Sequence, residues 1–227
     1  MRRRRTRLDL RPIPGYRALP IAIDETVESD LPPHFSLGTS ALGQVSTVTA
    51  LVSAEVVYRL VQRVSFTRRV PLVTLSDPVT LALASDTLRR AFLARDNLEA
   101  FRPSAAVWYP GSEQSVVYAA GAARLAADTR SSSHVLVGTF GTELVFFLEH
   151  AARQRQRSFA HSTSLNGQAV AYVMADHFLI GEELFVGSAY LQRGSTVDEA
   201  TLLTLDVLRW LVIIFGITLG VLLNVLD

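Results

Sequence analysis

Six short apolar runs, each followed by a longer stretch with helical spacing, constrain this chain more than any other feature. The runs lie at His34-Phe-Ser-Leu37, Val70-Pro-Leu-Val-Thr-Leu75, Ala105-Ala-Val-Trp-Tyr109, His134-Val-Leu-Val137, Ser158-Phe-Ala-His161 and His177-Phe-Leu-Ile180. Helices are predicted over 44–64, 78–101, 115–130, 142–156, 167–175 and 182–192. Alternating strands and helices need crossover connections, and these are right-handed. The pattern therefore predicts an α/β fold, a mainly parallel Rossmann-like open sheet with helices on both faces. The clearest helix start is Asp77-Pro78, an N-cap before a proline at the first helical position, with Leu81, Ala84, Leu88, Ala91 and Phe92 following at helical spacing. A length of 227 residues suits one such domain and is short for two.

The ends read differently from the middle. Residues 1–33 form an arginine- and proline-rich lead-in. Pro12, Pro14, Gly15, Pro20, Pro32 and Pro33 punctuate it too heavily for one long helix and leave room for a short one over Ile21 to Val27. The α/β domain is expected over 34–200, and 205–227 as a membrane anchor. From Trp210 to Leu226 there is no charged residue, which predicts a single C-terminal transmembrane helix with Trp210 and Arg209 at the interface. Gly216 and Gly220 form a GxxxG pair, a spacing that lets two helix backbones approach. The start, Met1-Arg-Arg-Arg-Arg-Thr-Arg7, has no apolar run of a secretory signal, and its charge predicts a domain facing the cytoplasm. The expected partners are a lipid bilayer and either copies of this chain or a larger membrane complex.

Composition removes several chemistries. All 22 basic residues are Arg, so a P-loop lysine, a Schiff-base lysine and a lysine general base are excluded. With no Cys, thiol nucleophiles, thiolate metal sites and disulfides are excluded as well. The net charge of +1 gives no field for nucleic acid, and Arg153-Gln-Arg-Gln-Arg157 reads as a solvated helix end, so no nucleic-acid partner is expected. Gly138-Thr-Phe-Gly141 lacks the third glycine of a dinucleotide fingerprint and Gly38 to Gly43 lacks the second, so no cofactor is expected. Histidines 34, 134, 150, 161 and 177 contain no i, i+4 pair, so no metal is expected either; only His161 stands at the back end of a strand.

In an open parallel sheet ligands bind beyond the carboxyl ends of the strands. The residues there are small and polar: Gly38, Thr39 and Ser40; Ser76 and Asp77; Gly111 and Ser112; Gly138 and Thr139; Ser162; and Glu182 with Glu183. Hydroxyls and free N–H groups at helix starts could hold an anionic or nucleotide-like molecule. The same residue types are also what helix capping requires, and both readings stand. Glu182 and Glu183 are adjacent, so their side chains diverge on a helix and do not by themselves make an acid/base dyad. A Ser162, His161, Asp77 constellation lacks a nucleophile elbow.

The stretch Leu179-Ile-Gly-Glu-Glu-Leu-Phe-Val-Gly-Ser-Ala-Tyr-Leu191 resembles an uncharacterised bacterial membrane-associated family, a domain of unknown function. Arg11-Pro-Ile-Pro14, Leu37-Gly-Thr-Ser40, Tyr118-Ala-Ala-Gly121, Gly138-Thr-Phe-Gly-Thr-Glu143 and Ala175-Asp-His-Phe-Leu-Ile-Gly-Glu-Glu183 are similar to it in order and spacing. The resemblance implies a membrane-associated α/β domain and no particular reaction; the N-terminal spanning segment of longer relatives is not seen here. Three functions follow from the residues. The first is a structural or assembly subunit without catalysis, the second a ligand-binding or sensory module at the strand ends. The third is an enzyme using Glu182, Glu183, Asp77 or His161, with a hard metal ion recruited by the carboxylates.

Overall fold

All six apolar runs form strands: β1 (His34–Gly38), β2 (Leu72–Leu75), β3 (Ala106–Trp108), β4 (Ser133–Thr139), β5 (Arg157–Ser162) and β6 (His177–Phe178). The computed structural model describes residues 11–67, 69–111, 116–191, 204 and 206–219. Every pairing is parallel, in the order β3-β2-β1-β4-β5-β6, so the chain reverses direction across the sheet between β1 and β4. The predicted parallel α/β sheet is therefore present.

Parallel strands must be covered on both faces, and the helices divide accordingly. Helices α2 (Thr47–Val64) and α3 (Pro78–Leu93) cover one face; α4 (Val116–Asp128), α5 (Leu144–Arg153) and α6 (Leu165–Met174) cover the other. α1 (Pro14–Ser29) and the short α7 (Gly187–Leu191) pack beside α2. The first face is apolar, with Phe35, Leu37, Val73, Leu75, Val135, Val137 and Phe159 against Val57, Leu60, Val61 and Leu88. The second mixes Leu136 and Ala160 with His34, Ser36, Thr74 and His134, all buried. Fewer aliphatic side chains are available there, and Tyr118, Phe140 and Phe147 fill the layer instead.

Two expectations are corrected. The lead-in is not restricted to a short helix: α1 runs sixteen residues with Pro14 in its first turn and Pro20 inside. Pro20 removes one donor, but Tyr16, Leu19, Ile23 and Thr26 share a buried face, and burial of that stripe outweighs the lost bond. The transmembrane helix is overturned as well. Among the described residues no helix is long and apolar enough to cross a membrane. The terminal helix is described at Thr204 and over 206–219, and it carries the charged residues Asp206 and Arg209. The apolar run of the sequence extends to Leu226, but 220–227, with Gly220, lie outside the described residues, as do Leu205 and Ser112. The single-pass membrane assignment falls with the span.

Helices α1, α3, α4 and α5 end alike, on a left-handed residue that is not glycine: Asp30, Asp96, Arg130 and Arg155, with φ of 51°, 54°, 52° and 54°. In each, the following N–H reaches back five residues, from Leu31 to Thr26, Asn97 to Phe92, Ser131 to Ala126 and Gln156 to Ala151. A Cβ in this conformation costs about 1 kcal/mol or more, so Asp96→Gly should stabilise the fold. Thermal denaturation followed by circular dichroism should show a midpoint higher by roughly 2–4 °C.

Candidate functional site

The reversal between β1 and β4 places two loops side by side at the carboxyl edge, where open α/β sheets bind ligands. The loops lie very close. A Cβ on Gly38 would stand 2.1 Å from the Thr139 carbonyl oxygen, and one on Gly138 2.2 Å from that of Leu37. At this separation the loops bond to each other. Thr39 N donates to Thr139 O at 2.8 Å, and Thr139 N donates to Ser40 Oγ at 2.9 Å. Ser162 Oγ accepts from Phe140 N and Ser164 N, each at 3.0 Å, and lies 2.6 Å from Phe140 O. Thr163 N donates to Gly138 O, Gly141 N to Glu143 Oε1, and the Thr139 and Thr163 hydroxyls meet at 2.9 Å.

The structure thus brings Gly38, Thr39, Ser40, Gly138, Thr139 and Ser162 together, with their hydrogen-bonding capacity directed at one another. Ser76 joins through its N–H to Gly38 O, while Asp77 caps α3 through Thr80 N at 2.7 Å. Gly111 lies apart and exposed after β3. Glu183 is a structural clamp: Oε2 accepts from Ile180 N at 2.9 Å and Oε1 pairs with Arg11. Nearby, the Tyr16 hydroxyl donates to Glu183 O, and Tyr190 stacks on Tyr16 while donating to Arg11 O. Two stretches that carry the resemblance, at 11–14 and 179–191, therefore latch onto each other. Burial, with Glu183 beside it, pushes the Tyr16 phenol well up and keeps it a donor. Glu182 is exposed and lies 3.4 Å from Arg209, a weak pair. Gly216 is exposed with open space around its Cβ position. His161 is fully buried with Nε2 3.0 Å from Gly181 O, and burial holds its basicity below the ordinary histidine range.

A second polar cluster lies inside the sheet, and sequence reasoning missed it. His34 and His134 are register partners on β1 and β4, and their Nδ1 atoms stand 3.0 Å apart. The neighbours fix the protons. Gln156 donates its amide to Ser131 O and offers Oε1 to His134 Nε2 at 2.8 Å, so that nitrogen carries hydrogen and His134 Nδ1 accepts. His34 Nδ1 then donates, and its Nε2 accepts from the Thr74 hydroxyl at 2.8 Å. The Tyr118 hydroxyl meets Ser36 and Thr74 behind it. One directional chain runs from α4 across the sheet to Ser131, with both rings neutral. A proton on His134 Nδ1 would set two N–H groups against each other, and one on His34 Nε2 would take away the acceptor of the Thr74 hydroxyl. Burial, then the neighbouring imidazoles, depresses His34 strongly; burial lowers His134 to about 4, with Gln156 opposing. Both histidines head their strands in the sequence, but only knowledge that β1 neighbours β4 would have paired them.

Two tests follow. Gly38→Ala should destabilise the fold by about 3 kcal/mol or more through steric conflict with Thr139 at positive φ. Gly43→Ala, at φ 79° with nothing within 4 Å, should cost only about 1 kcal/mol in urea denaturation. The histidines also set a pH window. The folded state binds fewer protons than the unfolded one, so stability is complete above pH 6.5 and is lost as pH falls toward 4. His134 alone contributes on the order of 3 kcal/mol. The urea midpoint should fall across that window, and His34→Leu/His134→Leu should flatten the profile.

Neither a curated protein nor a solved structure matches this sequence. A family model does, over residues 1–227, and the segments that latch at the carboxyl edge lie within that match. The chain belongs to the family described as a domain of unknown function, DUF6754.

Proposed function

We propose that this chain is a structural or assembly subunit, which joins copies of itself through the carboxyl rim of its sheet and the 206–219 helix, and performs no chemistry of its own. The observation that carries the reading is the character of that rim. Val45 (105% exposed), Val48, Val79, Val116, Val117, Leu165 (82%) and Ile180 follow strand ends, Trp108 closes β3, and all face solvent. Over 38–47, 75–79, 138–144 and 162–166 the only charged residues are Asp77, spent on a helix cap, and Glu143, which is buried; beyond β6, Glu183 is paired with Arg11 and Glu182 with Arg209. Depletion of charge with exposed apolar and aromatic side chains is the composition of an interface core. The loop N–H groups that would hold an anion there bond to neighbouring loops instead.

The terminal helix supports the same reading. From Trp210 to Leu219 it has no charge, and every described residue on it is exposed. A helix apolar on all sides needs neighbours on all sides, and among the described residues the side chains from Trp210 to Leu219 stay exposed within its own fold. Joined copies supply those neighbours. Light scattering of the full chain at micromolar concentration should give a mass above the monomer. Val48→Glu/Val117→Glu should weaken association about thirtyfold per hot-spot position, with an unchanged circular dichroism spectrum. A monomer at all concentrations would sink the reading.

A further inference from the structure

The opposite, amino edge of the sheet has another character. A cavity of about 680 Å³ opens between the end of α1 and the segments leading into β4 and β5, within the size range of small-molecule sites. Its lining includes Arg130, Arg155, Arg157, Ser133, His150 and Gln154. Glu25 also lines it but is engaged by Arg157 at 2.8 Å. Among the described residues neither the Arg130 nor the Arg155 guanidinium has a hydrogen-bond or ion-pair partner. Two further polar groups are unspent: Ser133 Oγ, on a residue only 2% exposed, and the buried His150 Nε2. The lining therefore offers unused donors, while its one carboxylate is already taken.

Neither arginine is needed to finish its helix. The end carbonyls of α4 and α5 already accept backbone N–H groups, at Ala126 and Ala127 and at Ala151 and Ala152. Glycine or asparagine would hold the left-handed backbone at lower cost, yet both positions carry a long cation. We propose that this cavity is a binding site for a small polyvalent oxyanion, gripped by the Arg130 and Arg155 guanidiniums, with the Ser133 hydroxyl and the His150 ring beneath. Guanidinium forks match phosphate and carboxylate oxygens in pairs. The site lies on the edge away from the assembly rim and stands or falls independently of it.

Isothermal titration of the full chain with pyrophosphate and, separately, with citrate tests this. Saturable binding of one anion per chain is expected, and the stronger of the two probes identifies phosphate or carboxylate as the recognised group. Arg130→Asn/Arg155→Asn should weaken it by roughly tenfold or more per arginine. Because asparagine tolerates the left-handed backbone, the thermal midpoint of that variant should equal or exceed that of the parent, which separates loss of the site from loss of the fold. Arg124→Gln, at a cation paired with Asp128 on α4 outside the cavity lining, should bind as the parent does. No saturable heat with either anion, or equal weakening in Arg124→Gln, would overturn the proposal.

Discussion

The pairing of β1 with β4 is the constraint on which the rest depends. It is the one contact between the two halves of the sheet, and it places Gly38 against Thr139 at one end and His34 against His134 at the other. At the carboxyl end the backbones come so close that side chains are sterically excluded, and the loops satisfy one another's N–H and C=O groups. At the amino end two imidazoles share one proton between facing nitrogens, a bond that is lost once His134 Nδ1 is protonated.

That division accounts for the different faces of the sheet. The face under α2 and α3 is held by ordinary aliphatic packing. The face under α4 to α6 holds a row of hydroxyls and imidazoles, which are tolerated because each finds a directional partner. A satisfied buried chain of this kind specifies register, since sliding β4 by one residue would remove His134 from His34 and leave polar atoms stranded in an aromatic layer. Its dependence on neutral rings makes the same chain the acid-sensitive part of the fold.

The two edges also diverge in chemistry. Charge collects where strands begin, on helix ends carrying Asp30, Asp96, Arg130 and Arg155, while the carboxyl rim around β1, β4 and β5 is nearly uncharged and lined with exposed valines and Leu165. This reverses the usual arrangement of open α/β sheets, in which polar ligands are met at the carboxyl edge. The assembly rim and the oxyanion cavity can thus occupy opposite ends without competing for residues.

The sequence by itself determined the strands, the crossover helices and the parallel sheet, because periodicity and capping are local and each segment carries its own signal. It also brought the strand-end residues Gly38, Thr39, Ser40, Gly138, Thr139 and Ser162 to notice. Only the tertiary structure decided that these residues bond to one another, that Glu183 clamps Arg11, and that His34 meets His134, because those contacts join residues from about twenty to more than a hundred positions apart through strand order. Local pattern misled at both ends. Pro20 reads as a break although tertiary burial carries α1 through it, and apolar length after Trp210 reads as a membrane span although among the described residues no helix is long and apolar enough to make one. Propensity and hydropathy report what a segment prefers alone; strand order and packing decide what it meets.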